Sequence, residues 1–393
     1  MRRITDAERR ARLLWRHHLT SANRVDHPAQ AAAGVVALHA TDPVSVFLSA
    51  LARMRQPSIA AVEDALYEER SLVRMLGMRR TMFVVPVEFA SVVHAAATRA
   101  IAVRERRKLI QRISPVVPGD VDAWLAEVED ATERALVARG EAVAVELSAD
   151  VPQLRTRVLM NEGKKYESYG TITTWVLALL SMQGRIVRGR PRGSWISSQY
   201  RWAPLTAWLP DGLTDIPVAD AQVELVRAWL SRFGPGTEVD LRWWTGFTAT
   251  EIRKALTVIQ PVEVELESGA TGLVLPDDLE PVPEPEAPEA VLLPALDATA
   301  MGWKERRWYF GDHGPALIDR AGNIGPTVWW RGGVVGGWTV RRDGEVAFRI
   351  LEDIGEAGVA AVTAVAEMVT GWISPIRFVP RFRTPLEREL TEG

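Results

Sequence analysis

Residues 35–47 read VVALHATDPVSVF. A β-branched apolar run gives way here to Asp42-Pro43, and His39 and Thr41 stand two apart at the junction, where a buried strand should be finishing. Side chains alternate along a strand, so these two polar groups project from one face while Ala40 and Asp42 point the other way. An imidazole, with an ordinary pKa of about 6.5, can take a proton or a hydrogen bond from a water that a neighbouring hydroxyl orients. The competing reading makes His39 a satisfied structural residue and Thr41 an ordinary strand former. Asp42 directly before Pro43 fits a helix N-cap with proline in the first turn better than it fits a chemical role.

Other chemistries find no residues to carry them. The 393 residues include no cysteine, which excludes disulfides, thiolate nucleophiles and sulfur-bound zinc, and the six histidines are scattered without paired metal spacing. His17 and His18 are adjacent on an amphipathic helix and so do not share a face. No glycine-rich loop of the P-loop or dinucleotide type is present, so no cofactor is expected, neither metal nor nucleotide. The N-terminal MRRITDAERRARLLWRHHL is charged throughout, and the longest apolar run, TTWVLALLSM, is too short for a bilayer. A cytoplasmic protein with no membrane partner is expected.

The formal charge of −3 conceals a segregation. Residues 1–112 hold 19 Arg or Lys against 10 Asp or Glu, residues 151–203 hold nine basic side chains against Glu162 and Glu167, and residues 261–290 hold nine acidic side chains and no basic one. Basic segments inside a near-neutral chain suit a surface that follows phosphates while the rest is repelled. Arg74, Arg79 and Arg80 fall on or beside a first hairpin. Arg185, Arg188, Arg190 and Arg192 fall in a second, with Lys164 and Lys165 upstream. Phosphate contact is the functional reading for these nine, a solvated charged face the bland one for any of them singly.

Those residues need a framework, and the chain repeats one plan three times: helical periodicity, then a short hairpin ending at a proline. The hairpins are RSLVRMLGMRRTMFVVP, closing at Pro86, GRIVRGRPRGSWISSQYRWAP, closing at Pro204, and VEVELESGATGLVLP, closing at Pro276. Short amphipathic helices precede each, which is the winged-helix arrangement. A helical linker over about 86–140 joins the first two units. After Pro276 a Pro/Glu tract reads as a linker, followed by a β-meander with Gly-Asn, Gly-Gly and Asp-Gly turns and a closing helix, EAGVAAVTAVAEMVTGWI. The expected fold is α+β, with three tandem winged-helix units at 1–115, 116–210 and 211–280 and a β-rich C-terminal part at 281–393. The acidic third hairpin should repel DNA. Trp195, Tyr200 and Trp202 read more readily as packing than as stacking platforms, and Trp243, Trp244, Trp329, Trp330 and Trp338 read as core.

LHATDP at 38–43, VRMLGMRRTMFVVP at 73–86, YGTITTWVLALL at 169–180 and IDRAGNIGPTVWWRGGVVGGW at 318–338 span most of the chain. Together they resemble the AlkZ/YcaQ-type DNA glycosylases, a family of tandem winged-helix DNA-binding proteins. The resemblance implies a C-shaped stack with duplex DNA across its concave face, in a monomeric, nucleoid-associated protein. It implies a monofunctional glycosylase that hydrolyses the N-glycosidic bond of alkylated or bulky-adducted bases, crosslinked ones among them. The alternative is a non-catalytic DNA binder, a regulator or lesion sensor. The family's Gln-x-Gln or Gln-x-Asp motif falls on His39 and Thr41, so here the catalytic positions read His-Ala-Thr.

Overall fold

The computed structural model describes residues 1–161, 163–165, 167–282, 288–378 and 383–392. Glu162 and residues 283–287 of the Pro/Glu tract lie outside the described residues. The fold is α+β, built of short helices and five small sheets among the described residues.

All three expected hairpins form. Leu72–Leu76 pairs antiparallel with Met82–Pro86, Ile186–Pro191 with Tyr200–Pro204, and Val262–Leu266 with Thr271–Val274. Two hairpins acquire an additional strand from far away in sequence. Leu38–His39 pairs antiparallel with Met82–Pro86, setting His39 opposite Phe83, and Arg2–Ile4 runs parallel to Val262–Leu266. A further hairpin, Arg157–Met160 with Ser168–Thr171, carries Lys164 and Lys165 in its turn. Its second arm, SYGT, is polar and exposed on most positions, so no apolar alternation announced it.

Side-chain caps set most helix starts near the site. Asp42 accepts the Val44 amide at 3.2 Å ahead of Pro43–Leu51, with Pro43 in the first turn, so the Asp-Pro pair is a helix start. Thr237 and Thr248 begin Glu238–Thr245 and Ala249–Ile259, each in a reciprocal contact with the acid three residues on, Asp240 and Glu251. The linker expected over 86–140 is helical in two main pieces, Arg99–Ile113 and Val121–Arg139. Pro115 and Pro118 lie between them, where neither could continue a helix.

Packing groups these segments into two large cores. Leu13, Phe47, Leu66, Trp229, Phe233, Trp303 and Trp329 share one that unites the first and third helical segments with the C-terminal sheet. Leu109, Leu125, Leu136, Leu147, Val176 and Leu180 form the other. The second hairpin joins them through its pleat: Ile186 and Trp202 face the second core, Val187 and Ala203 the first. The C-terminal sheet runs Ala290–Leu293, Thr327–Trp330, Gly333–Val340, Val346–Ile350, all antiparallel. The helix Gly355–Ile373 is long and apolar enough to cross a membrane by length and composition alone. It lays Val362, Ala366, Val369 and Ile373 into the core of this sheet.

A buried polar network locks the two halves of the first core together. Arg53, fully buried, meets both carboxylate oxygens of the equally buried Asp297 at 2.8 and 2.9 Å and also donates to Thr299 Oγ1 at 2.7 Å. Ser49 donates to Asp297 Oδ2 at 2.6 Å, and His17 Nδ1 lies 2.9 Å from Thr299 Oγ1. Every charge is matched, so the network fixes how the Pro43–Leu51 helix meets the C-terminal sheet instead of straining it.

Candidate active site

The strand that presents the His-Ala-Thr segment is only two residues long, ending at His39. Ala40 still donates its amide to Met82 O at 2.8 Å, but Thr41 lies beyond the regular pairing, half-buried in the approach to the Asp42 cap. Strand alternation therefore does not by itself hold His39 and Thr41 to one face, a correction to the period-two expectation.

His39 is 8% exposed, edge-on to Phe83 with ring centroids 5.6 Å apart, and its Nδ1 is buried with no hydrogen-bond partner among the described residues. Burial pushes its pKa down to about 4. The Arg79 charge pushes the same way and Asp297 opposes it. The expectation of ordinary titration near neutrality is thereby corrected: at pH 7 the ring is neutral, a hydrogen-bonding group and a weak base. His17 shows what a structural histidine looks like in this protein. It is fully buried too, yet Nδ1 meets Thr299 Oγ1 and Nε2 meets the Arg232 carbonyl at 3.1 Å. An unsatisfied buried polar atom costs about 1–3 kcal/mol, and only one of the two histidines carries that cost.

The arginines expected to grip phosphates sort into three kinds. Arg74 is corrected outright: only 2% exposed, it donates to the Ala40 carbonyl at 3.0 Å and lies over the Tyr200 ring, so it holds the backbone between His39 and Thr41 and is closed off from any phosphate. Arg185 bonds Asp130 and Glu133, and Arg190 spans Glu63 at 3.1 Å and Glu68 at 2.9 Å, so both are already neutralised. Arg80 pairs with Glu105 at 3.1 Å, while Arg188 is half-buried against Tyr200 and Trp202. Arg79, Lys165 and Arg192 are exposed, with no ion pair among the described residues, and Lys164 is exposed in the same turn as Lys165.

Among the aromatics, Trp195 packs on Phe47 at 4.9 Å, and Trp244, Trp329 and Trp338 are likewise buried in the core. Trp243 and Trp330 are corrected: both are half-exposed, and Arg79 and Arg306 lie over the Trp243 ring at 4.1 and 4.9 Å. The signal was in the sequence. Adjacent residues on a helix do not share a face, so of Trp243 and Trp244 one had to look outward.

The chain belongs to the AlkZ-like DNA glycosylase family, whose model matches residues 32–372. This assigns it a glycosylase-like role in DNA repair, with DNA as its partner. None of the curated protein sequences compared with it matches. Among solved structures, the DNA glycosylase AlkZ of Streptomyces sahachiroi is similar to it with a TM-score of 0.71, over 94% of this chain and 98% of that one, at 18% identity. That likeness is one of fold.

Proposed function

We propose that this protein is a monofunctional glycosylase that binds double-stranded DNA as a monomer through tandem winged-helix units and hydrolyses the N-glycosidic bond of alkylated or bulky-adducted bases, with His39 and Thr41 holding the attacking water. The observation that carries the reading is the neutral, unsatisfied imidazole of His39 at the end of a strand, beside a satisfied counterpart in His17.

A purine alkylated at N7 or N3 is already cationic, so it departs without being protonated. The C1′–N bond breaks, its electron pair neutralises the base, and positive charge develops on the sugar. A water oxygen then bonds to C1′ and sheds its proton afterwards. Such a reaction asks for a water held in place more than for a strong base. An imidazole with a pKa of about 4 meets that demand by accepting a hydrogen bond from the water, and the Thr41 hydroxyl orients it. Arg74 fixes the intervening Ala40 carbonyl and so keeps both groups in position. Arg79, Lys165 and Arg192, with Lys164 beside Lys165, supply phosphate contacts, and Arg80 joins them by exchanging Glu105 for a phosphate, since an exposed ion pair is worth little. The protein would act at the nucleoid.

The test is release of free base and formation of abasic sites from an N7-methylated duplex. Wild-type protein should release base, and His39→Ala and Thr41→Ala should release far less. No release by wild-type protein that still binds the duplex would make it a lesion sensor or regulator.

A further inference from the structure

We infer that the principal backbone-phosphate site of this protein is a cationic cradle around Trp243, where the turn of the first hairpin meets the helix Glu238–Thr245, and that the arginine-rich second hairpin is not that site. This rests on the reading that the chain acts on duplex DNA and adds to it the place where the strand is gripped. Arg79 and Arg306 both lie over the Trp243 ring, and Arg242 and Lys304 line the open cavity of about 300 Å³ beside it with Trp243, Gly246 and Phe247. Two guanidiniums thus cover the ring and two more cations line the cavity beside it. Among the described residues none of the four side chains has a carboxylate ion-pair partner; of the acids nearest in sequence, Glu305 pairs with none of them, and the buried Asp240 is occupied by the Lys304 and Glu305 backbone amides at 2.9 and 3.0 Å.

Stacking and ion pairing leave a guanidinium in different states. A guanidinium that pairs with a carboxylate spends its N–H edge on it, whereas one lying over an aromatic ring is held by its face and keeps its donors for an anion. Arg306 uses only Nε internally, donating to the Trp303 carbonyl at 2.9 Å. With two guanidiniums over the ring and two more cations lining the cavity, the site suits phosphate oxygens.

The backbone is shaped to deliver Arg79 here. Arg79 and Arg80 have φ of 53° and 60°, two consecutive non-glycine residues in the left-handed region. Glycine would make that turn without strain, and such strain collects where a side chain is needed for a task. The opposite wall makes room: Gly246, itself left-handed at φ 77°, is where an added Cβ would come within 3.1 Å of Arg79 Cγ. The Arg79 charge also helps to depress His39.

The experiment measures affinity for an undamaged duplex from 50 to 200 mM salt, with single-turnover base release from an N7-methylated duplex alongside. Arg79→Gly, Trp243→Leu and the pair Arg242→Ala with Lys304→Ala are compared with Arg190→Ala. Each cradle variant should weaken binding roughly tenfold and lower the salt slope by about 1 for every phosphate left without its cation. Arg79→Gly should do so with an unchanged or higher Tm, because glycine relieves the left-handed turn, so weaker binding cannot be laid to unfolding. Arg190→Ala should leave affinity and slope as they are. The cradle is overturned if its variants keep wild-type affinity and slope while wild-type protein binds the duplex, or if only the release rate falls. Wild-type protein that binds no duplex overturns the DNA reading itself and this site with it.

Discussion

The first and second hairpins both look basic in sequence, and the structure makes them opposites. In the second, Arg185 and Arg190 are clasped by Asp130, Glu133, Glu63 and Glu68, and Arg188 is tucked against Tyr200 and Trp202. In the first, Arg79 is held out by a strained turn over Trp243 with no acid to answer it among the described residues. Arg190 and Arg185 tie the Ile59–Tyr67 and Val121–Arg139 helices to the second hairpin's strands, leaving Arg192 exposed in its turn, whereas Arg79 of the first hairpin faces outward. Counting arginines along a chain measures charge, whereas the capacity to bind an anion depends on which acids the fold has brought alongside.

Breaking the fully buried Arg53–Asp297 pair should have the largest effect. Arg53→Ala leaves Asp297 charged and buried with no counter-ion, and we expect a loss of about 3–5 kcal/mol, read as a marked drop in Tm. A near-normal Tm would mean that buried pairing matters far less here than the contrast between the hairpins supposes. Next comes acid. His39 has its pKa lowered to about 4 in the folded state against about 6.5 when unfolded, so the unfolded chain binds the extra proton between those values. Stability should be unaffected above pH 6.5, fall as pH drops towards 4, and level off below it, by about 3 kcal/mol in all. His17, lowered for the same reason, adds in the same direction. Denaturant titrations of wild type and His39→Gln across pH 4–7 should separate the two, with the variant falling less.

Base release should respond next. His39→Ala should slow it by about 100-fold or more while duplex affinity stays within a factor of about two. Arg74→Met, which frees the Ala40 carbonyl, should slow release roughly tenfold without altering the salt slope, since this arginine positions the segment and touches no phosphate. A lowered salt slope in Arg74→Met would move it into the class of Arg79. Smallest of all, Arg190→Ala should cost under about 1 kcal/mol, because its ion pairs are partly solvated.

Much of this was legible from residue order alone because it is locally encoded. The three hairpins follow from alternation and turn residues, the Asp42 cap from its place before proline, and the helical linker from periodicity, though not its division into two helices. The resemblance of LHATDP placed the candidate site at His39 and Thr41, but its electrostatics were not legible, because burial and the approach of Arg79 and Asp297 set them.

The sequence by itself determined the order of elements, the absence of cysteine chemistry and the segregation of charge, since each depends on neighbours along the chain. Only the tertiary structure decided which arginines are spent and which are free, that His39 is neutral and Nδ1 unanswered, and that Trp243 is a seat for guanidiniums. Those outcomes turn on pairings between residues dozens to hundreds of positions apart, Arg190 with Glu63, Arg53 with Asp297, Arg79 with Trp243, and no local pattern carries that information.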